Sequence, residues 1–360
     1  LIVTAVLTVA VGCAERPVPP ARSPYDAPQR LSEFALFEGD PRRQRAARDV
    51  VPYDVNTPLF SDYTTKYRFV RLPPGSAATY HSDETFEFPV GTVLVKTFAY
   101  WLDRRDAIAG ERLIETRILM HRPQGWVGLP YVWNDEQTEA YLALGGDVRP
   151  VQWIHDDGSH RANDYIIPNA NQCKGCHRER GPVAPIGPKA RQLNRPYAYP
   201  DGTQNQLTYW ANAGILEDAP LPDSAPRLAQ WDAPRSGSTA ERARAWLEAN
   251  CAHCHNPAGP ASNTGLDLFA AQSNPRAFGV YRSPVAAGIG TGGRKFDIVP
   301  GKPDDSILLH RIASTDPQVM MPELGKRLVH QEGVQLVRRW ISEMDANGSR
   351  ATRVGGSAAR

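Results

Sequence analysis

Apolar and polar positions change rhythm along this chain. Between Val50 and about Pro168 the dominant spacing is two. Tyr67-Arg68-Phe69-Val70-Arg71-Leu72 alternates in part, and Thr92-Val93-Leu94-Val95-Lys96-Thr97-Phe98 is a β-branched, apolar run. Leu113 to His121 sets Ile114, Thr116, Ile118 and Met120 on one face and Glu115 and Arg117 on the other. Successive side chains of a strand point to opposite faces, so these stretches predict strands. Val151 to His155 and Ala162 to Ile167 flank Asp157-Gly158, a dipeptide suited to a hairpin turn. Together they predict a β-sandwich or barrel-like sheet.

From Ser238 the spacing becomes helical. Ser238-Thr239-Ala240-Glu241 is a capping box, followed by Ala243, Trp246, Leu247 and Cys251 at helical intervals. Ser306 to Ile312 predicts a second short helix. Gln331 to Met344 predicts a third, with Val334, Val337, Trp340, Ile341 and Met344 on one face. The expected class is therefore α+β, with a β-rich N-terminal domain and a mainly helical domain after it.

The flanks read differently. Leu1 to Val11 is an uncharged apolar run, too short to span a bilayer but suited to the core of a signal peptide, residues 1–12. Val9-Ala10-Val11-Gly12-Cys13 has the pattern of a bacterial lipobox, which predicts lipidation at Cys13 and a membrane anchor. Residues 13–48, rich in Pro, Arg and Ala, read as a tether with a short docking helix at Leu31 to Phe37. The β-rich domain is expected over residues 49–235, including a proline-rich connector from Arg178 to Pro234 with a short helix near Gln206 to Ala213. The helical domain is expected over residues 236–346 and a disordered tail over residues 347–360.

A net charge of +2 gives no reason to expect nucleic acid as a partner. The five cysteines carry more information. Four of them form Cys173-Lys174-Gly175-Cys176-His177 and Cys251-Ala252-His253-Cys254-His255. Cys-x-x-Cys-His is the attachment pattern of c-type haem: two thiols two residues apart reach the two vinyl groups of one porphyrin. The histidine that follows, His177 or His255, then becomes the proximal ligand of the iron. Zinc and a thioredoxin-like thiol pair also use Cys-x-x-Cys, but neither requires a histidine directly after both pairs. Two covalent haems leave Cys13 for lipidation, and thioether attachment implies export to a periplasm-facing location, outer membrane if anchored.

A thioether as the distal ligand suits electron transfer. Met344 falls on the apolar face of the last helix and Met120 in a strand. Met320 and Met321 stand in a loop before Pro322, and Met321 is the expected ligand of the second haem, with Met320 in reserve. For the first haem, Met120, His121, His155, His160 and Lys96 are upstream candidates, and an open sixth position is the alternative. His253 is expected to point away from the ring as a structural residue.

Asn56-Thr57-Pro58-Leu59-Phe60-Ser61-Asp62-Tyr63, Pro185-Ile186-Gly187-Pro188-Lys189-Ala190 and Ile298-Val299-Pro300-Gly301-Lys302-Pro303-Asp304-Asp305-Ser306 add a resemblance. With the two haem motifs, they resemble a family of exported bacterial diheme c-type cytochromes, often encoded beside parallel β-helix proteins. The likeness covers nearly all of the chain after residue 48 and implies haem binding and electron transfer. Ser238 to Asp345 resembles class I cytochrome c domains, in which a helix leads into the haem motif and a Met-Pro loop presents the distal sulfur. Phe88-Pro89-Val90-Gly91-Thr92-Val93-Leu94-Val95-Lys96 is similar to cytochrome P460, some of whose members oxidise small nitrogen compounds. Two functions follow as expectations. One is an electron carrier serving a periplasmic redox partner, such as a dehydrogenase or an adjacent-gene β-helix protein. The other is an enzyme with a five-coordinate first haem relayed through the second.

Overall fold

The computed structural model describes residues 25–178 and 181–345, so Cys13, the signal-peptide segment and the C-terminal tail lie outside the described residues. The first half supplies strands and the second half mainly helices, an α+β arrangement. The strands are β1 (Val51–Tyr53), β2 (Thr65–Arg71), β3 (Ala78–Thr79), β4 (Val93–Trp101), β5 (Glu111–Arg122), β6 (Gly125–Trp133) and β7 (Ala140–Leu142). The hairpin β8 (Asp147–Ile154) and β9 (His160–Ile167) turns at Asp157-Gly158, as the dipeptide predicts. An antiparallel sheet runs in the order β1-β2-β4-β5-β6-β7. It is open, not closed into a barrel.

Both sheet faces are covered, for different reasons. One face carries Phe69, Val93, Val95, Ala99 and Ile118, and packs against Leu31, Phe34 and Leu36. Residues 25–48 are thus not a tether: Leu31, Phe34 and Leu36 are buried in this core and Tyr25, Ala27, Phe37, Ala46 and Ala47 pack against it, which offsets the cost of ordering them. The other face is apolar only at its ends. At one end Phe98 and Tyr100 meet Trp153 and Tyr165 of the hairpin. At the other, Tyr53, Val70 and Leu94 meet the connector helices α2 (Ala190–Leu193) and α3 (Gln206–Asn212). Between these ends Arg68, Lys96 and Arg117 stand directly opposite one another on β2, β4 and β5. The face of β5 that carries Glu115 and Arg117 is therefore covered, and Glu115 is fully buried.

Three helices build the second core. α4 (Thr239–Leu247) begins at the Ser238–Glu241 capping box, and α5 (Ile307–Ile312) and α6 (Gln331–Ser342) follow. Trp246, Leu247, Leu309, Val337, Trp340 and Ile341 interlock with Phe278 and Ile298. No helix of the described residues is long and apolar enough to cross a membrane.

The stretch Asn56 to Tyr63 ties the two cores together. The Asn56 amide donates to Arg191 O at 2.9 Å, and Phe60 N donates to Asn250 Oδ1 at 2.8 Å. The buried Asp62 carboxylate accepts from Arg327 N and Leu328 N, each at 2.8 Å. Tyr63 Oη donates to Glu332 at 3.0 Å. Each bond joins residues far apart in sequence, so the motif's polar residues fix how sheet, connector and helices dock.

Candidate functional site

Each Cys-x-x-Cys-His motif is presented by a helix. Cys173, Cys176 and His177 lie on α1 (Ala170–His177), opened by a reciprocal cap between Asn169 and Gln172. The helix crosses β6 at Gly128, where an added Cβ would lie 3.1 Å from Cys173 Cβ. A larger residue here would crowd the cysteine against the sheet.

α4 runs without a break into a π-helical turn, Glu248–Ala252, that carries Cys251; Cys254 and His255 follow. The Asn250 and Asn256 amides donate to Trp246 O at 2.8 Å and Ala252 O at 2.7 Å, pinning the turn on both sides. Buried Glu248 accepts from Arg191 Nε at 2.5 Å and from Ala270 N at 2.9 Å.

The two motifs meet. Cys173, Cys176 and His177 line a cleft of about 230 Å³ against the charged row of the sheet. Cys251, Cys254, His255 and Met321 line a second, mostly apolar cleft of about 320 Å³. Cys176, His253, Pro322 and Leu324 border both. Cys176 and Cys254 interact directly, which lowers the Cys176 thiol and raises that of Cys254. His253, expected to point away from the ring, lines both clefts beside Cys176, with its buried Nδ1 lacking a partner among the described residues.

The hydrogen bonds of the two motif histidines fix their tautomers. His177 Nδ1 lies 2.9 Å from Ala184 O, which can only accept, so Nδ1 carries the proton. His255 Nδ1 lies 3.1 Å from Thr264 Oγ1, whose own proton is committed to Ala261 O at 2.7 Å. Again Nδ1 donates. In both rings Nε2 is left as a lone pair, the state required of a metal ligand whose other nitrogen is held by an outer oxygen. Burial brings both histidines down to about 4, so both are neutral at pH 7.

The remaining sequence candidates separate clearly. Met321 lines the cleft of His255, whereas Met320 is not among its walls. Met344 is buried in the helical core. Near the first cleft, Lys96 lines the wall. Met120 packs on the core at Leu31 and Phe34, and His121 stacks on Trp126 at 4.5 Å while donating to Phe88 O. His155 is buried beside Trp153 and Glu332, and His160 is exposed on the hairpin. None of these four lines the cleft.

Sequence reasoning missed Arg68 and Arg117 as parts of the site. A signal was present: each of the three strands carries a cation among apolar residues, Lys96 as the lone charge of β4. Only the register shows that these cations are neighbours. Among the described residues, no three His, Cys, Asp or Glu side chains group as a metal site. A c-type centre does not require such a group, since one histidine per motif faces the iron. No family model, curated protein or solved structure matches this chain.

Proposed function

We propose that the chain is a periplasm-facing diheme c-type cytochrome, passing electrons between redox partners through two covalently bound haems. Cys173, Cys176 and His177 would hold one. Cys251, Cys254 and His255 would hold the other, with Met321 as its distal ligand. The observation that carries this reading is the pairing of two adjoining clefts, each offering two cysteines and a neutral histidine with a free Nε2. The residues fit the group: each cleft has two cysteines and a proximal histidine, the orienting oxygens are in place, and Gly128 makes room for Cys173.

When bound, the haems supply one-electron redox chemistry. The chain supplies attachment, orientation and separation from water. Because Cys176 and Cys254 touch, attachment at these residues brings the two cofactors together, as an internal relay requires. Lipidation of Cys13 would anchor the chain to the membrane, and a periplasmic dehydrogenase or β-helix protein would serve as redox partner.

The first cleft supports a second reading. Its walls hold no methionine and, besides His177, only His253 as a further histidine. An open sixth position there would make the chain a haem enzyme relayed through the second haem.

Haem content tests the main reading. Purified exported protein should retain two haems after acid–acetone extraction, and Cys251→Ser/Cys254→Ser should retain one. A single haem in the unaltered protein would refute it. The spin state of the ferric first haem then separates carrier from enzyme. Two low-spin centres indifferent to cyanide favour the carrier, and a cyanide-sensitive high-spin centre favours the enzyme.

A further inference from the structure

The wall of the first cleft has an unusual charge pattern. Arg68, Lys96 and Arg117 occupy directly paired positions on three neighbouring strands, an arrangement of like charges that destabilises a sheet. The two arginines have carboxylates of their own. Arg68 Nη1 meets Asp54 Oδ1 at 2.6 Å, and Asp54 also receives Arg195 at 3.0 Å. Arg117 forms a bidentate pair with Glu115 at 2.5 and 2.8 Å. Among the described residues, Lys96 has no direct ion pair and no hydrogen-bond acceptor, and Glu115, which acts on it through space, is committed to Arg117 and Tyr165; its Nζ lies over the Phe98 ring at 4.8 Å.

Arg68, Lys96 and Arg117 all line the cleft that holds His177. The acidic residue on that lining is Glu248, already occupied by Arg191 and Ala270 N. The cleft wall is therefore strongly cationic, and its central cation is unpaired. Burying such a charge is costly unless something compensates it.

We propose that this row is an anion-binding site: the Lys96 ammonium, flanked by the Arg68 and Arg117 guanidinia, receives a carboxylate or small inorganic oxyanion inside the first cleft. Two sources share that chemistry. One is a carboxylate of the haem held at His177, which rests on the diheme reading above. The other is an oxyanion entering from solution. Burial first, and then the charges of Arg68, Lys66 and Arg117, hold Lys96 well below the ordinary lysine range, a penalty that a bound anion relieves.

The test compares the haem-loaded protein with Lys96→Met, Lys96→Arg and the exposed control Lys302→Met. Methionine keeps the length and removes the charge; arginine keeps the charge. Haem stoichiometry on the same samples reports separately on the diheme reading. Nitrite and sulfate are titrated at constant ionic strength by calorimetry and by the ferric Soret band, and midpoint potentials are measured by redox titration. Saturable binding that weakens at least tenfold in Lys96→Met, but not in Lys96→Arg or Lys302→Met, establishes an oxyanion from solution. Absence of such binding, together with a lowered midpoint potential of one haem in Lys96→Met alone, assigns the anion to the cofactor. If Lys96→Met changes neither quantity, the proposal is overturned. It is also overturned if both charge variants change the spin state alike, since Lys96 then acts as an iron ligand.

Discussion

Replacing Glu115 by glutamine takes the carboxylate charge away from Arg117 at the centre of the sheet. Glu115 is fully buried, and its Oε1 also accepts from Tyr165 Oη at 2.7 Å. Breaking a buried pair by removing one partner costs about 3–5 kcal/mol, because the remaining charge is uncompensated. Lys96 stands directly opposite Arg117, so the guanidinium left without its carboxylate would face a cationic neighbour rather than an anionic one. Glu115→Gln should therefore lose about 3–5 kcal/mol, a large part of the 5–15 kcal/mol or so that typically stabilises a domain. Removing the second charge as well, in Glu115→Gln/Arg117→Met, should restore about 2 kcal/mol or more of that loss. Urea unfolding at pH 7, followed by far-UV circular dichroism, measures both. If the single variant stays within about 1 kcal/mol of the parent, or the double variant is no more stable than the single, the argument from buried charge is wrong.

Met321→Ala should abolish the weak near-infrared band of a Met-ligated ferric haem while Met320→Ala keeps it; the reverse result moves the ligand to Met320. Thr264→Val removes the acceptor of His255 Nδ1–H, which under the diheme proposal would make His255 a weaker donor to iron. The potential of the second haem should rise in a redox titration while the first is unchanged. His330 supplies a pH prediction. Its Nδ1 accepts from Trp246 Nε1 at 2.8 Å, its ring stacks on Phe60, and burial brings it down to about 4. A histidine lowered in the folded state adds stability above its ordinary value near 6.5, and loses it as pH falls from there towards 4. The urea midpoint should drop across that window less steeply in His330→Gln than in the parent, and equal slopes would discount the assignment.

Much of this molecule is legible in one dimension. A period of two against a period of 3.6 separates the strands from the helices, because both are local rules about where consecutive side chains point. The capping box, the Asp157-Gly158 turn and the Cys-x-x-Cys-His spacing are equally local, and each depends on neighbours within a few residues. What the sequence could not reveal depends on partners far away in the chain. Residues 25–48 look like a tether until the sheet offers a face for Leu31, Phe34 and Leu36. Glu115 and Arg117 share a face of their strand by local spacing, but only register sets Arg117 beside Lys96 and only packing seals Glu115 beneath Tyr165. The two motifs lie more than seventy residues apart, and nothing local requires Cys176 to touch Cys254. The sequence by itself determined the two Cys-x-x-Cys-His motifs and the elements that carry them. Tertiary packing decided which cleft each residue faces, because facing depends on long-range register and docking, which no short-range pattern encodes.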